Sequence, residues 1–326
     1  MTMTDEPILP DVHMHRVMPN APVTGRVVET QRCTRAGAKA AGIVRHVSID
    51  VSGTPLAGHF AAGQSFGVYP PGEDHNGKPH ALRLYSIASP GFGEDGQGNV
   101  LATTVKRLIA EREPQTPQDD PGDHRLHLGV ASNYLCDLRV GDEVQVTGPQ
   151  GKRFLLPVDH EAHDYCFLAT GTGIAPFRGM LMELLQGPVG PTSSQIHLIM
   201  GVPYRTDLLY DEQLRALAAQ HPNFHYHEAI SREIDPVWGR GVYTHQLIEH
   251  KLETFGPLLS SRRTLVYVCG LAGMQFGVYQ QLVEHGLADG YLKINDDLID
   301  TPPSEWTPDL IKRRIKPTRR LMLEVY

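Results

Sequence analysis

The pattern of apolar residues changes near residue 160, and this change constrains the fold more than any other feature of the chain. Before residue 160, short alternating segments are separated by Gly- and Pro-rich turns, a pattern typical of antiparallel strands. After residue 160, short apolar runs alternate with segments of helical period, which predicts a parallel sheet covered by helices. A chain of 326 residues is long enough for two domains. We therefore expect an antiparallel β-barrel over 21–160 and a doubly wound α/β domain over 161–326.

The predicted elements follow from these two patterns. In the first half we expect strands at Ile43–Val51, Ser65–Tyr69, Leu82–Ala88, Val100–Arg107, Leu126–Ala131 and Glu143–Thr147. In the second half we expect strands at Tyr165–Ala169, Gln195–Gly201, Phe224–Ile230 and Leu265–Cys269, alternating with helices at Pro176–Leu185, Asp211–Ala219, Tyr243–Leu252 and Met274–His285. Residues 1–20 contain three prolines and few apolar pairs, so they predict an N-terminal arm whose composition permits disorder.

Charge and composition argue against several classes of function. The net charge of −7 gives no electrostatic reason to expect nucleic-acid binding. No apolar run is long enough to span a bilayer, so no integral membrane segment is expected. The first residues lack the features of a signal peptide, which predicts a cytoplasmic protein. The four cysteines are widely separated and the histidines lack metal-ligand spacing, so we expect neither disulfides nor a metal site.

The segment Arg83–Ser89 is the first candidate binding site. In a strand, Arg83 and Tyr85 share one face, and Leu84 and Ser86 share the other. A guanidinium suits a phosphate, a phenol ring can stack on an aromatic heterocycle, and a serine hydroxyl can hydrogen-bond a ring heteroatom. The segment therefore fits a flavin nucleotide. An ordinary strand with a surface arginine and a core tyrosine fits the same residues.

The segment Ala169–Arg178 follows a predicted strand and opens a predicted helix. Its glycines, Gly171 and Gly173, allow a sharp turn and a close approach to a ligand, and Pro176 suits the first helical turn. Because a helix N-terminus attracts anions, this context indicates nucleotide binding above the carboxyl ends of the parallel strands.

A second group of residues follows the predicted strand that ends at Ile230. Ser231, Arg232, Arg240 and Tyr243 could together form a pocket for a phosphomonoester, for which the 2′-phosphate of NADP is the natural candidate. A solvated loop with surface arginines is the alternative. The segment Cys269–Met274 then repeats the strand, loop and helix pattern at a later strand end.

Six blocks of sequence, taken in order, resemble plant-type ferredoxin–NADP(+) reductases. The resemblance runs from about residue 23 to the last residue. The blocks are Arg83–Ser89, Gly129–Asp137, Thr170–Arg178, Ser231–Arg232, Cys269–Met274 and Glu324–Tyr326. The resemblance implies a β-barrel that binds FAD, followed by an α/β domain that binds NADP. It also implies electron exchange between NADP(H) and a one-electron carrier, ferredoxin or flavodoxin.

The resemblance assigns roles at the flavin. Arg83 would hold the FAD pyrophosphate, Tyr85 would stack on one face of the flavin, and Ser86 would hydrogen-bond near flavin N5. Tyr326 would cover the other face and act as a gate for the nicotinamide. The remaining matched FAD positions are Leu84, Val130, Ala131, Ser132 and Thr172, with Ser132 and Asn133 expected to open a short helix that faces the pyrophosphate.

The resemblance also assigns the NADP site and the catalytic groups. Lys106 matches a lysine that contacts the NADP phosphates, and Thr172 would lie beside the nicotinamide mononucleotide. Ser231, Arg232 and Tyr243 match a 2′-phosphate pocket. The other expected NADP positions are Gly173, Arg240, Gly270 and Leu271. The expected catalytic residues are Ser86, Cys269, Glu324 and Tyr326.

The sequence departs from the family at several positions. Ala131 stands where many members carry a cysteine, and Leu128 replaces a common lysine. Ala110 lies where plant enzymes place a tyrosine against the adenine. Arg240 stands one position before the usual basic residue, which leaves Gly241 at that position. These departures leave the strictness of NADP over NAD open.

A basic run over 312–320, on an acidic chain, is expected to dock ferredoxin or flavodoxin near the flavin edge. A solvated helix face is the alternative for such a run. Two other functions stay open: a reductase component that supplies an oxygenase, and a flavin redox sensor without turnover.

Overall fold

The computed structural model describes residues 6–111, 120, 122, 125–298 and 301–326. The first half is built mainly from strands. They are β1 (Val23–Arg32), β2 (Val44–Asp50), β3 (Ser65–Tyr69), β4 (Arg83–Ser86), β5 (Val100–Lys106), β6 (Ile109–Glu111), β7 (Leu126–Leu128) and β8 (Glu143–Gln150), with one helix, α1 (Val130–Asp137), between β7 and β8.

Six of these strands form an antiparallel sheet in the order β4-β3-β8-β1-β2-β5. A bridge between Ile87 and Thr103 joins the two outer strands, so the sheet curls into a barrel. Apolar side chains at alternate positions point inward, among them Val47, Ile49 and Phe66. The remaining strands, β6 and β7, form a separate hairpin.

The second half alternates strands with helices, as the sequence predicts. The strands are β9 (Asp164–Thr170), β10 (Ile196–Val202), β11 (Phe224–Ile230), β12 (Thr264–Gly270), β13 (Leu292–Ile294), β14 (Ile315–Pro317) and β15 (Leu321–Val325). The helices are α2 (Ile174–Gln186), α3 (Asp211–Gln220), α4 (Gln246–His250), α5 (Leu252–Ser260), α6 (Met274–Glu284) and α7 (Pro308–Arg314).

Five strands form a parallel sheet in the order β11-β10-β9-β12-β15. Successive residues of β9 enter two separate cores, with Phe167 on one face and Leu168 on the other, because helices cover both faces. The carboxyl ends of these strands share one edge of the sheet, which is where α/β proteins bind ligands. The predicted fold class is thus confirmed. Among the described residues, no helix is long and apolar enough to cross a membrane.

Two predicted elements are corrected. The expected strand Leu126–Ala131 ends at Leu128, and Val130 begins helix α1 instead. Ala131 and Leu135 fall one helical turn apart on the buried face of α1, a spacing that a strand cannot use. The expected helix Tyr243–Leu252 begins only at Gln246, and non-helical backbone at Lys251 separates it from α5. Strands β1, β6, β13, β14 and β15 and helix α7 were not predicted.

Residues 6–20 of the expected arm are held by contacts with the rest of the molecule. Val17 is 2% exposed and exchanges backbone hydrogen bonds with Gly148. His15 N donates to Pro149 O at 2.8 Å. Glu6 pairs with Arg319 of the second half at 3.3 Å. The arm therefore contacts both halves of the chain over these residues.

Candidate active site

The two halves of the chain meet at the end of β4. Ser86 Oγ donates a hydrogen bond to Glu324 Oε1 at 3.3 Å, across 238 positions of sequence. Cys269 lies beside Glu324, because these two residues are paired in the register of β12 and β15. Three of the four expected catalytic residues therefore lie together.

Burial sets the charge state of these groups. Cys269 is fully buried, and desolvation raises the pKa of its thiol well above the ordinary value, with the neighbouring Glu324 charge acting in the same direction. Burial also raises the pKa of Glu324, whereas the hydrogen bond from Ser86 lowers it. The thiol is therefore neutral at physiological pH, and the carboxyl group is a weaker acid than an exposed glutamate.

Tyr326, the fourth expected catalytic residue, lies against the same cluster. Its hydroxyl is 2.7 Å from Thr172 Oγ1. Its backbone N donates to Gly270 O at 3.0 Å, and its carbonyl accepts from Ala272 N at 2.8 Å. The side chain is nevertheless 57% exposed. The ring is thus a flat apolar surface at the edge of the site.

Tyr85 precedes Ser86 on the barrel side. Its ring packs partly against the barrel core, and burial raises the pKa of its hydroxyl to about 12. Because Tyr85 is adjacent to Ser86 and Tyr326 is two residues from Glu324, the Ser86–Glu324 contact brings both rings to one region.

Two glycines allow the strand ends of the second domain to approach closely. A Cβ atom on Gly173 would lie 2.2 Å from Cys269 O, and one on Gly270 would lie 2.1 Å from Thr170 Oγ1. Gly270 also has φ of +142°, which strains any other residue. The loops after β9 and β12 are therefore packed closely together, and a larger residue at either glycine would push them apart.

The first turn of α1 is fixed by its own side chains. Ser132 Oγ accepts from Leu108 N at 3.2 Å, and Asn133 Nδ2 donates to Gly129 O at 2.7 Å. The helix begins at Val130, so Ser132 and Asn133 lie within its first turn and do not open it. They hold the β6–β7 hairpin against the helix N-terminus.

The barrel side also carries a cation and exposed apolar groups. The Arg83 guanidinium has no ion pair among the residues that the structure describes and contacts only its own neighbour, Leu82 O, at 3.1 Å. Leu84, Leu128 and Val130 are 51%, 51% and 48% exposed. Ala131, in contrast, is buried. An elongated ligand with an anionic part and an apolar part fits these groups.

The residues expected to hold a 2′-phosphate lie around a loop after β11. Ser231 N donates to Val202 O and Arg232 N to Pro203 O, which fixes the start of the loop. Arg232, Arg240 and Tyr243 are exposed, and in the described part of the chain no carboxylate pairs with either guanidinium. A Cβ on Gly241 would lie 2.1 Å from Ser231 O, so this position cannot hold a basic side chain without rearrangement.

Two further expected NADP contacts lie apart from that loop. Lys106 ends β5, is exposed and faces Val44 in the barrel register. Leu271 is 66% exposed in the loop that follows β12, next to the residues that bind the end of the chain.

Some cations of the expected docking run are exposed, whereas others are buried or form ion pairs. Arg320 is 5% exposed and donates to Ser261 O at 2.7 Å, so its assignment to a docking surface is wrong. Arg314 pairs with Asp297, and Arg319 pairs with Glu6. Within the described ranges, the exposed cations of the run that form no ion pair are Lys312, Arg313 and Lys316.

The position of the run is also corrected in part. Arg319 and Arg320 precede β15 and therefore lie at the edge of the sheet opposite to Glu324, since β15 runs parallel to the other strands. Lys312 lies over the ring of Phe276 at 5.8 Å, in the first turn of α6 and thus at the edge that carries the site.

Two functional contacts were missed from the sequence. Thr170 Oγ1 accepts from Leu271 N at 3.0 Å and so ties the two loops together. Its place in the Thr-Gly-Thr-Gly block was a usable signal. Thr103 Oγ1 donates to the Ser86 carbonyl at 2.9 Å. Thr103 resembles any other strand residue, so no sequence signal identified it.

Fold and site together define an oxidoreductase with an antiparallel barrel and a nicotinamide-nucleotide-binding domain. The family described as "Oxidoreductase NAD-binding domain" matches residues 167–280. A ferredoxin–NADP reductase from Synechocystis is 35% identical over 320 residues, which cover 97% of this chain and 70% of that protein. The chloroplastic leaf isozyme 1 from Arabidopsis thaliana is 37% identical, covering 85% and 74%. The chain belongs to the ferredoxin–NADP reductase family.

A solved structure supports the same fold. Ferredoxin–NADP(+) reductase from Plasmodium falciparum superimposes with a TM-score of 0.65, covering 96% of this chain and 99% of that one at 20% identity. Both the barrel and the parallel sheet are included in this match. The two-domain architecture is therefore shared even where the sequences have diverged.

Proposed function

We propose that this protein exchanges electrons between NADP(H) and a one-electron carrier, ferredoxin or flavodoxin. The observation that carries the proposal is the 3.3 Å contact between Ser86 and Glu324, with Cys269 alongside. It joins the barrel strand expected to hold a flavin to the domain expected to hold NADP. FAD, when bound, supplies a hydride acceptor at N5 and releases the two electrons one at a time.

The barrel residues fit FAD. Arg83 would bind the pyrophosphate, because its guanidinium is exposed and unpaired among the described residues. Leu84, Leu128 and Val130 offer apolar surface that an isoalloxazine or adenine ring would cover. Tyr85 and Tyr326 would lie on opposite faces of the flavin ring.

The second domain would bind NADP(H) along the carboxyl ends of its strands. Thr172, Gly173 and Gly270 would surround the nicotinamide half, where the two glycines let the loops after β9 and β12 pack closely together. Arg232 and Arg240 would bind the 2′-phosphate, and the exposed Tyr243 ring would stack on the adenine. We place the boundary between the two domains at residue 160, as the sequence predicts.

The catalytic cluster would bind and orient the reacting groups. Ser86 can donate a hydrogen bond either to Glu324 or to a ligand atom next to it. Glu324, whose pKa is raised by burial, can hold a proton close to that hydroxyl. Cys269 stays neutral because burial raises the pKa of its thiol, so it adds no charge beside the nicotinamide.

Anaerobic titration with NADPH tests this function. The FAD-loaded protein should lose its yellow absorbance, and it should then turn over with ferredoxin or flavodoxin. A flavin that NADPH does not bleach would overturn the proposal in favour of a redox sensor. Bleaching without turnover on either carrier, but with turnover on an oxygenase component, would instead support the oxygenase reductase.

Replacing Tyr326 with Ser should tighten NADP(+) binding. The Tyr326 ring would occupy the place where the nicotinamide has to lie, and a stacked aromatic pair contributes about 0.5–1.5 kcal/mol beyond its buried area. Removing this competitor should lower the dissociation constant by about tenfold. Difference absorbance during an NADP(+) titration measures it. Tyr326→Phe is the control, since it keeps the ring and loses only the bond to Thr172; equal affinity in all three proteins would contradict the gate.

Charge reversal at Lys312 and Arg313 should slow association with the carrier. These exposed cations lie near the start of α6, on the side of the sheet that carries the site. Losing this attraction should reduce the association rate by about tenfold at low salt, and the difference should shrink at high salt. Stopped-flow mixing with reduced ferredoxin measures the rate.

Reversing Arg262 and Arg263 gives a control for the loss of two positive charges, although Arg263 also pairs with Asp164 at 3.3 Å. They precede β12 and lie at the opposite edge of the sheet. Reduction of a small artificial acceptor should be unchanged in both double variants. An equal loss of association rate from the two double variants would show that Lys312 and Arg313 do not form the docking surface.

A further inference from the structure

The candidate active site is divided between two domains. Tyr85 and Ser86 belong to the barrel, whereas Cys269, Glu324 and Tyr326 belong to the α/β domain. A displacement of about 1 Å between reacting groups can slow a reaction about 100-fold. The contacts that hold the domains together therefore bear on the chemistry, and one buried cluster forms several of them. We name it the interdomain clamp: His46, Glu94, Thr104, Arg178 and Tyr210.

Tyr210 carries the polar centre of the clamp. It belongs to the α/β domain, yet its hydroxyl lies 2.9 Å from His46 Nδ1 on β2 and 2.5 Å from Thr104 Oγ1 on β5. The side chain is 8% exposed. Its backbone has φ of +54°, a left-handed conformation that is rare for residues other than glycine. Such strain persists only where surrounding contacts hold the residue in place.

Arg178 carries the charge of the clamp. It lies on α2 and is 7% exposed. Its Nη1 and Nη2 donate to the two carboxylate oxygens of Glu94, a barrel residue, at 2.5 and 3.1 Å. Its guanidinium also lies 5.3 Å from the centre of the Tyr210 ring. A bidentate pair of this kind fixes direction as well as distance.

Residues of the clamp, or their neighbours in sequence, contact the backbone beside the active site in both domains. Arg178 Nη1 also donates to Ala88 O at 3.0 Å, two residues beyond Ser86. Thr103, next to Thr104, donates to Ser86 O at 2.9 Å. Arg178 lies on the helix that begins directly after the Thr172 loop. The residues that hold the two domains together thus share backbone segments with the residues at the site.

The charge state of His46 is compatible with a permanent clamp. Burial lowers the pKa of its imidazole to about 3, and the nearby Arg178 charge acts in the same direction. His46 is therefore neutral although its Nε2 lies 3.6 Å from Glu94. A neutral ring can accept a hydrogen bond from the Tyr210 hydroxyl through Nδ1, while that hydroxyl accepts from Thr104.

A second anchor supports the same segment. The carboxylate of Asp207 is fully buried and accepts from the backbone N atoms of Lys39, Ala40 and Ala41 at 2.8, 3.0 and 3.1 Å. These residues belong to the loop between β1 and β2. Asp207 and Tyr210 thus fasten one short segment of the α/β domain to the barrel at two points.

We propose that Tyr210 is a positioning residue, which through the interdomain clamp sets the separation of the flavin and the nicotinamide. This inference rests on the proposed function. Tyr210 touches neither ligand site; its hydroxyl acts on Ser86 through Thr104 and β5, and its ring packs against Arg178 on α2, the helix that follows the Thr172 loop. NADP(+) binding, whose expected contacts other than Lys106 lie in the α/β domain, should depend on it little.

Tyr210→Phe tests this role. The rate of flavin bleaching by NADPH should fall about tenfold because the reacting groups are less well aligned. The dissociation constant for NADP(+) should stay within about twofold, because its contacts in the α/β domain remain. The long-wavelength charge-transfer absorbance of the nicotinamide–flavin complex should weaken. Thr104→Val removes one of the two hydrogen bonds of that hydroxyl from the barrel side and should change the bleaching rate and the absorbance in the same direction, and it serves where Tyr210→Phe does not fold.

Tyr291→Phe is the matched control. Its hydroxyl also has two buried partners, Thr264 O at 3.2 Å and Arg320 at 3.3 Å, but both lie within the α/β domain. This variant should lose thermal stability while keeping the wild-type bleaching rate and charge-transfer absorbance. If Tyr291→Phe slows bleaching as much as Tyr210→Phe at a similar loss of stability, the role of Tyr210 is only structural and the proposal is overturned.

A measurement without NADPH separates this proposal from the proposed function. Spin labels at Val140→Cys and Val189→Cys, which are 65% and 90% exposed in the native chain, report the distance between the domains. The native Cys136, Cys166 and Cys269 are buried, and burial raises the pKa of the Cys33 thiol to about 12, so labelling should favour the new sites. Tyr210→Phe should broaden the distance distribution.

Flavin bleaching and the spin-label distance distinguish a failure of the proposed function from a failure of the positioning role. An unbleached wild-type flavin would overturn the proposed function, and the distance measurement would still show whether the clamp fixes the domains. An unchanged distance distribution in both Tyr210→Phe and Thr104→Val would overturn the positioning role, whatever the enzyme does with NADPH.

Discussion

Replacing Ser86 with Ala is expected to slow reduction of the flavin by NADPH by about 100-fold or more. Ser86 Oγ donates to Glu324 Oε1 at 3.3 Å and lies where flavin N5 is expected. The variant would remove the hydroxyl that is expected to orient the Glu324 carboxyl group and the flavin. It would leave Tyr85, Cys269 and Tyr326 unchanged. Stopped-flow absorbance of the flavin, after mixing with NADPH, measures the rate, and the FAD content measures whether the cofactor is retained.

The same variant should also shift a pH profile. The Ser86 hydrogen bond favours the charged form of Glu324 and so lowers its pKa, against the larger effect of burial. In Ser86→Ala that pKa should therefore rise further. The pH at which Glu324 takes up its proton should move upward in the pH dependence of flavin reduction. Ser86→Thr, which keeps a hydroxyl, is the control. If flavin reduction in Ser86→Thr is as slow as in Ser86→Ala, loss of the hydroxyl does not explain the slower rate.

The fold was predictable because its signals are local. Each strand of the parallel sheet is a short apolar run, and each helix shows its own period, so the alternation after residue 160 can be seen in the sequence. Where the local signal was ambiguous, prediction failed. The run Leu126–Ala131 alternates Leu126, Leu128 and Val130 with His127 and Gly129, as a strand does, and only the burial of Ala131 and Leu135 on one side shows that a helix begins at Val130.

The site was predictable only in pieces. The motifs at Arg83–Ser86 and at Thr170–Gly173 each indicate a ligand, yet nothing local places Glu324 against Ser86, because 238 positions separate them. The ordered resemblance to a known family grouped both residues as catalytic but did not predict their contact. The structure adds the contact between Thr172 and Tyr326, which ties the end of the chain to the glycine loop.

Burial explains why Arg320 was wrongly assigned to the docking surface and why the interdomain clamp was not predicted from the sequence. Arg320 has the same charge as Arg313, but its guanidinium donates to backbone carbonyls in the core of the second domain. Tyr210 gives no sign in the sequence that its hydroxyl enters another domain. Composition shows the type of a side chain, whereas its partners depend on long-range packing.

We propose that the choice of coenzyme rests on two arginines, because the position next to Arg240 is closed. A side chain at Gly241 would collide with Ser231 O at 2.1 Å, so the basic charge of the expected 2′-phosphate pocket comes from Arg232 and Arg240. Both guanidiniums are exposed and lack carboxylate partners in the described part of the chain. Two unpaired arginines beside a serine favour a phosphomonoester over the bare ribose of NAD.

Arg232→Ala should therefore weaken NADPH binding by about 10- to 100-fold, since a hydrogen bond to a charged group contributes about 1.5–3 kcal/mol. The affinity for NADH should not change, because NADH carries no 2′-phosphate. Titration with 2′-AMP isolates the same contact from the nicotinamide. Arg205→Ala is the matched control, as Arg205 is also exposed near these strand ends but pairs with Glu228. An equal loss of affinity for NADPH and NADH in Arg232→Ala would mean that Arg232 shapes the loop and does not bind the phosphate.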